Sequence, residues 1–249
     1  ANNNVAVGRS ALLANTTGAG NTAVGMRALT ANTTASNNNS FGKDSLFANT
    51  TGAQNNAFGL SALQNNTTGA DNTAVGHVAL FANTTGGQNT AIGRNALDAN
   101  TTASNNTAVG YNSLSANTTG DDNVAVGREA LLENTTASGN TALGNQALRE
   151  TTTGATNTAV GAAALYANTT GTNNVAVGNS ALASNTTGSE NTVIGVTTAD
   201  AVTSASSVTA VGYGALGACT TGANNIAIGV GAAASVTTST YNLAIGDSA

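Results

Sequence analysis

The chain has 249 residues and no proline, no tryptophan, one cysteine (Cys219) and one histidine (His77). A single cysteine excludes an intrachain disulfide framework and a cysteine-based zinc site. Charged residues are 7% of the chain and aromatics 3%. That is too little charge for ordinary disorder, which combines high net charge with low hydrophobicity. It is also too few large apolar side chains for an ordinary globular core. The formal net charge of −5 is spread thinly over the whole length, which argues against nucleic-acid binding. No apolar run approaches the roughly 18 residues of a membrane-spanning helix. No secretory leader is visible. The chain opens inside a repeat, at "ANNNVAVG", as a mature product or a piece of a longer protein would.

Glycine is abundant, with 30 residues, and half of these mark a period. Gly8, Gly25, Gly42 and their successors to Gly246 recur at unbroken steps of 17 residues. A fixed short period is the signature of a repeat architecture. Unvarying length points to rungs of a stack, where one inserted residue would break the register of its neighbours. Residues 1–249 therefore read as a single repeat array. Residues 196–249 are its degenerate part, where Ala199 and Ala233 stand in place of a recurring leucine.

Positions are counted from the marker glycine. The segment "NTAVG" is short, rich in Thr and Val and bounded by Asn and Gly, which favours strand. "ALxANTTG" reads as a second short strand, with turns after the marker and near "TTG". Position −1 is always Val, Ile, Phe or Leu, and position +4 is Leu in 12 of 14 repeats. These two columns are the expected core. Position +8 is always Thr, and position −4 is Asn in 14 of 15 repeats. Such polar columns suit side-chain ladders between rungs spaced ~4.8 Å apart. Charges concentrate at positions +1, +2, +5, +11 and +12, which should face solvent. Alanines beside the large residues, such as Ala23 and Ala28, imply a second, small-residue face against which other chains pack.

No catalytic constellation emerges, and no enzyme is expected. His77 stands in a variable column without partners converging on it. Acids keep no column of the kind a calcium-binding roll requires; Glu133 and Glu150 share position +6 on successive rungs, with Arg149 as counter-charge. No catalytic, metal or cofactor residue is assigned. "NTT" matches the N-glycosylation pattern ten times, but a ladder role explains the same letters. The aromatics Phe47, Phe81 and Tyr166 at +5 and Tyr111 and Tyr213 at +1 form a candidate ligand-contact stripe or a seam between chains. Cys219 replaces an Asn of its column as a small buried thiol.

The residues "NTAVGHVALFANTTG" at 72–86 resemble the head repeats of trimeric autotransporter adhesins, whose signature is Asn-Ser-Val-Ala-Ile-Gly. "NNVAVG" at 173–178, "NNIAIG" at 224–229 and "NLAIG" at 242–246 come nearest. The 17-residue form with "NTTG" is more similar still to repeats of phage tail fibres and related surface fibres. The resemblance implies a left-handed parallel β-roll, three chains around one axis and a surface adhesive role. The expectation is an all-β parallel solenoid, homotrimeric, serving as a rigid spacer and attachment element of an extracellular or virion fibre. Its partners would be itself, stacked end to end as well, and a host-surface glycan or protein receptor. Three other functions are consistent with the repeat: an adhesin head that itself binds glycan or matrix, an ice-binding solenoid, and the subunit of an end-to-end stacked extracellular filament.

Overall fold

The computed structural model describes residues 2–249. Every regular element is a strand, and the described residues contain no helix. Two compact units divide the chain, one ending at Asn123 and the other beginning at Val124. In the first, strands β1 (Val5–Val7), β2 (Thr22–Val24), β3 (Asn39–Phe41), β4 (Asn56–Phe58), β5 (Thr73–Val75), β6 (Thr90–Ile92) and β7 (Thr107–Val109) pair in sequence order, all parallel. The second repeats the arrangement with β8 (Val124–Val126), β9 (Thr141–Leu143), β10 (Thr158–Val160), β11 (Val175–Val177), β12 (Thr192–Ile194), β13 (Thr209–Val211), β14 (Ile226–Ile228) and β15 (Leu243–Ile245). The register is 17 residues throughout, as in Thr73 opposite Thr90. Each unit is thus a parallel β-solenoid with one repeat per turn.

One rung shows how the letters make the turn. Thr73–Val75 is the strand. Gly76 then takes φ 138°, Val78 φ 51° and Leu80 φ 54°. The left-handed region costs an ordinary residue about 1–2 kcal/mol, yet a leucine occupies it in rung after rung. Burial offsets that cost, because Leu80 is fully enclosed and a buried leucine contributes about 1.5–3 kcal/mol. The backbone is also satisfied outside the strands. Val78 N–H donates to Leu60 O at 3.0 Å, Leu80 N–H to Ala96 O at 3.0 Å and Ala82 N–H to Asp98 O at 2.9 Å. Rung-to-rung backbone bonding therefore continues around the corner.

This geometry corrects three sequence expectations. Each rung has one three-residue strand, not two; "ALxANTTG" is a chain of turns. And position −1 lies outside. In the strands the alanine at −2 points inward, so Ala74 is fully buried while Val75 is 36% exposed. The core of a rung consists of Ala74, Ala79, Leu80 and the asparagines Asn72 and Asn83, all fully buried. So tight a loop has room for one large side chain, at the +4 corner. The residues expected to permit close approach of chains, Ala23 and Ala28, are themselves core. Met26 and Arg27 face outward as anticipated.

The degenerate rungs keep the same backbone. Ala199 and Ala233 hold φ 49° and 51°, the corner conformation of the leucines they replace. Around Ala199 the interior is filled instead by Val193, Val202 and Val208, each at most 1% exposed.

Candidate functional site

The outer face of the strands is the most unusual surface. Side chains at −3 and −1 alternate outward around the inward alanine. In-register pairing stacks each on its counterpart, Thr73 on Thr90 and Val75 on Ile92. In the first unit this face carries Val7, Phe41, Phe58, Val75 and Ile92, and in the second Val124, Leu143, Val175, Ile194, Ile226 and Ile228, all exposed. None of the charged residues of the chain falls in either column. Within the first unit the stripe extends on the order of 30 Å by 10 Å at ~4.8 Å per strand. Monomeric proteins rarely expose contiguous apolar patches beyond a few hundred Å², and depletion of charge is the mark of an interface centre.

Sequence reasoning assigned this column to the core because its residues are large. A signal was present that size alone did not give. The alanine column admits only small side chains, with Val193 the largest, whereas −1 exchanges Val for Phe freely. A column that tolerates Phe beside Val is not enclosed. Phe41 and Phe58, outside the expected aromatic stripe, are stacked with centroids 4.8 Å apart and planes within 7°.

Inside, two asparagine ladders run along each unit. Asn83 Nδ2 donates to Asn66 Oδ1 at 2.8 Å and to Gly86 O at 2.9 Å. Asn72 Nδ2 reaches the same Gly86 carbonyl at 2.9 Å, and Asn72 Oδ1 accepts from the backbone of Asn89 at 3.0 Å. The threonines at +8 form a third ladder, Thr84 Oγ1 donating to Thr101 O at 3.0 Å. The adjacent Thr85 is exposed. The ladder reading of "NTT" is therefore realised: Asn32, Asn49, Asn66, Asn83 and Asn100 are fully buried and offer no amide to a sugar. In the second unit the ladder is interrupted. Val202 follows Asn185 in the column, and Asn185 Oδ1 has no hydrogen-bond partner. Cys219 is a buried free thiol, 3.5 Å from Gly222 O, and burial pushes its pKa up.

The expected contact stripe resolves into separate environments. Phe47 and Phe81 are half-buried at +5, and Phe47 lies under Arg27, whose guanidinium is 5.1 Å from the ring centre. Arg27 in turn forks onto the buried Asp44 at 2.6 and 2.8 Å. Tyr111 is exposed. In the second unit Tyr166 is covered by Arg149 at 5.7 Å, and Tyr213 is exposed. Two of the five rings are thus partnered by an arginine of their own chain.

Arg149 also lies 3.4 Å from Glu129 and 3.6 Å from Glu150. A bond from Gln146 at 2.8 Å, with Arg128 and Arg149 nearby, holds the Glu129 carboxyl below its ordinary range against the effect of burial. Among the described residues no group of three or more His, Cys, Asp or Glu could hold a metal ion. His77 is exposed. An open cavity of about 610 Å³ near Ala233, Val236, Thr237 and Ser248 has no titratable side chain in its lining.

No protein-family model, curated protein or solved structure matches the chain. No helix among the described residues is long and apolar enough to cross a membrane.

Proposed function

We propose that this chain is a structural repeat region of an extracellular or virion fibre, in which three copies associate through the outer stripe of their strands to form a stiff spacer and attachment element. The observation that carries this reading is the uncharged outer face of the strands, apolar throughout at −1 and mostly Thr or Val at −3. It is contiguous within each unit and carries no charge, and it sits on a scaffold whose core polar groups are almost all bonded within and between rungs. Burial against copies of itself supplies what a core of alanine and one leucine per rung lacks. Light scattering of the purified chain at micromolar concentration tests it: a trimer mass is expected, and a monomer mass defeats the reading.

One feature favours a second reading, an ice-binding solenoid. Strands β2, β5, β6, β7, β9, β10, β12 and β13 present Thr at −3 and an apolar residue at −1, in regular outward rows. Thermal hysteresis by the chain would support it. The two readings compete for one face, so a trimer that covers the stripe excludes the second.

A further inference from the structure

The outer stripe poses a problem that its own regularity creates. A copy displaced by one rung, ~4.8 Å, meets nearly the same side chains, so a threonine–valine surface specifies its axial register weakly. In the first unit five strands carry only Val or Thr at −3 and Val or Ile at −1. Strands β3 and β4 differ in both columns: Asn39 and Phe41, then Asn56 and Phe58.

We infer that the two rungs bearing Asn39, Phe41, Asn56 and Phe58 fix the axial register in which copies of this chain pair through the outer stripe. This rests on the self-association reading above. Asn39 Nδ2 donates to Asn56 Oδ1 at 2.8 Å. The pair is half-buried, and this single side-chain bond leaves Asn39 Oδ1 and the Asn56 Nδ2 hydrogens open to a facing copy. Beside it the stacked rings of Phe41 and Phe58 are 36% and 40% exposed. In a symmetric assembly in register, equivalent rungs meet, so amide faces amide and ring faces ring. A one-rung shift sets one asparagine against a neighbour's Thr22 or Thr73 row and one phenylalanine against Val24 or Val75. A two-rung shift mismatches both. Desolvating an amide without a partner is costly, and a single polar residue in an apolar seam selects register in the same way in coiled coils. A threonine hydroxyl opposite can meet only part of an amide's bonding capacity, and no charge in either column competes with these pairings.

The test uses the full chain carrying Asn39→Thr, Phe41→Val, Asn56→Thr and Phe58→Val, which makes the outer face of β3 and β4 match that of β5. A spin label is placed at His77→Cys in a Cys219→Ser background, and distances between copies are measured by pulsed electron resonance. The parent chain should give one narrow distance population and the fourfold variant several. A variant that assembles with the parent's single population overturns the register lock while leaving self-association intact. A monomeric parent overturns the reading on which it rests. Hydroxyl-radical footprinting of the parent needs no variant: Phe41 and Phe58 should be protected in the assembly. Full reactivity there overturns the lock and marks the patch as a free surface for another ligand.

Discussion

Asn83 donates its side-chain amide to Asn66 Oδ1 and accepts from Asn100 Nδ2, each at 2.8 Å, one rung away on either side. All three are fully buried. The interior of this solenoid is thus held by a hydrogen-bonded row as much as by apolar contact. A buried amide is tolerated here because its stacked neighbours complete it, and the stack is therefore cooperative between adjacent rungs.

Removing a member of that row should cost more where the row is continuous. Asn83→Ala strands Asn66 Oδ1 in the interior, a loss of about 1–3 kcal/mol, and also removes the acceptor of Asn100. Asn185 donates to Asn168 Oδ1 at 2.9 Å, but its own oxygen already lacks a partner. Asn185→Ala should therefore be milder by about 1 kcal/mol, one net hydrogen bond. Hydrogen exchange of the flanking rungs reads both. Equal loss of protection would show that the ladder bond carries no weight.

A marker glycine inside the stack should differ sharply from an open glycine such as Gly214. A Cβ on Gly144 would sit 2.5 Å from the Gly161 carbonyl oxygen and 2.6 Å from its carbon, at φ 142°. Both atoms belong to the backbone of the next rung, which cannot yield without breaking register. Gly214 has φ 62° and nothing within 4 Å of the same atom. Gly214→Ala should cost about 1–2 kcal/mol, the left-handed penalty alone, and Gly144→Ala clearly more. Urea-dependent proteolysis of the two variants compares them; similar sensitivity would refute the close stacking.

How much of this was legible in the letters follows from particular residues. The 17-residue rung and the ladder role of Asn21, Asn32 and Thr33 could be read, because only a stacked polar side chain explains a column that hardly varies. Which face of the strand is inside could not be read from hydrophobicity. Val75 is larger than Ala74, and a size argument puts it in the core; the loop is too narrow for it. The second strand was misassigned for a related reason. Leu80 at φ 54° lies in a conformation that no propensity scale assigns to leucine, and Ala79 and Leu80 can both face inward only through such a turn. The outer stripe was hidden by the same inversion, and with it the pair Phe41 and Phe58.

The "NTT" matches whose asparagine is fully buried should remain unmodified in folded protein. Asn83 and Asn100 are fully buried with their amides engaged. Expressed in a host that glycosylates asparagine, the protease-resistant fraction should carry no glycan at either residue by mass spectrometry. A glycan on Asn83 in that fraction would contradict the ladder.

Asp98 supplies a test with a defined pH dependence. Its carboxylate accepts from Ser115 Oγ at 2.6 Å, and burial raises its pKa above the ordinary value despite that bond. A raised carboxylate pKa means that the folded chain holds the proton more tightly than the unfolded one. Below the unfolded value both states are protonated, and the group is neutral to stability. As pH climbs through the carboxylate range the folded state is penalised, and the penalty is complete at neutrality. Asp98→Asn removes the charge, while its Oδ1 can still accept from Ser115. The variant should therefore melt higher than the parent at pH 7 and together with it below about pH 3, where both carboxyl forms are protonated. Melting curves at the two pH values decide the matter. A variant that melts lower at pH 7 would show that the Ser115 contact, rather than burial of the charge, dominates at this position.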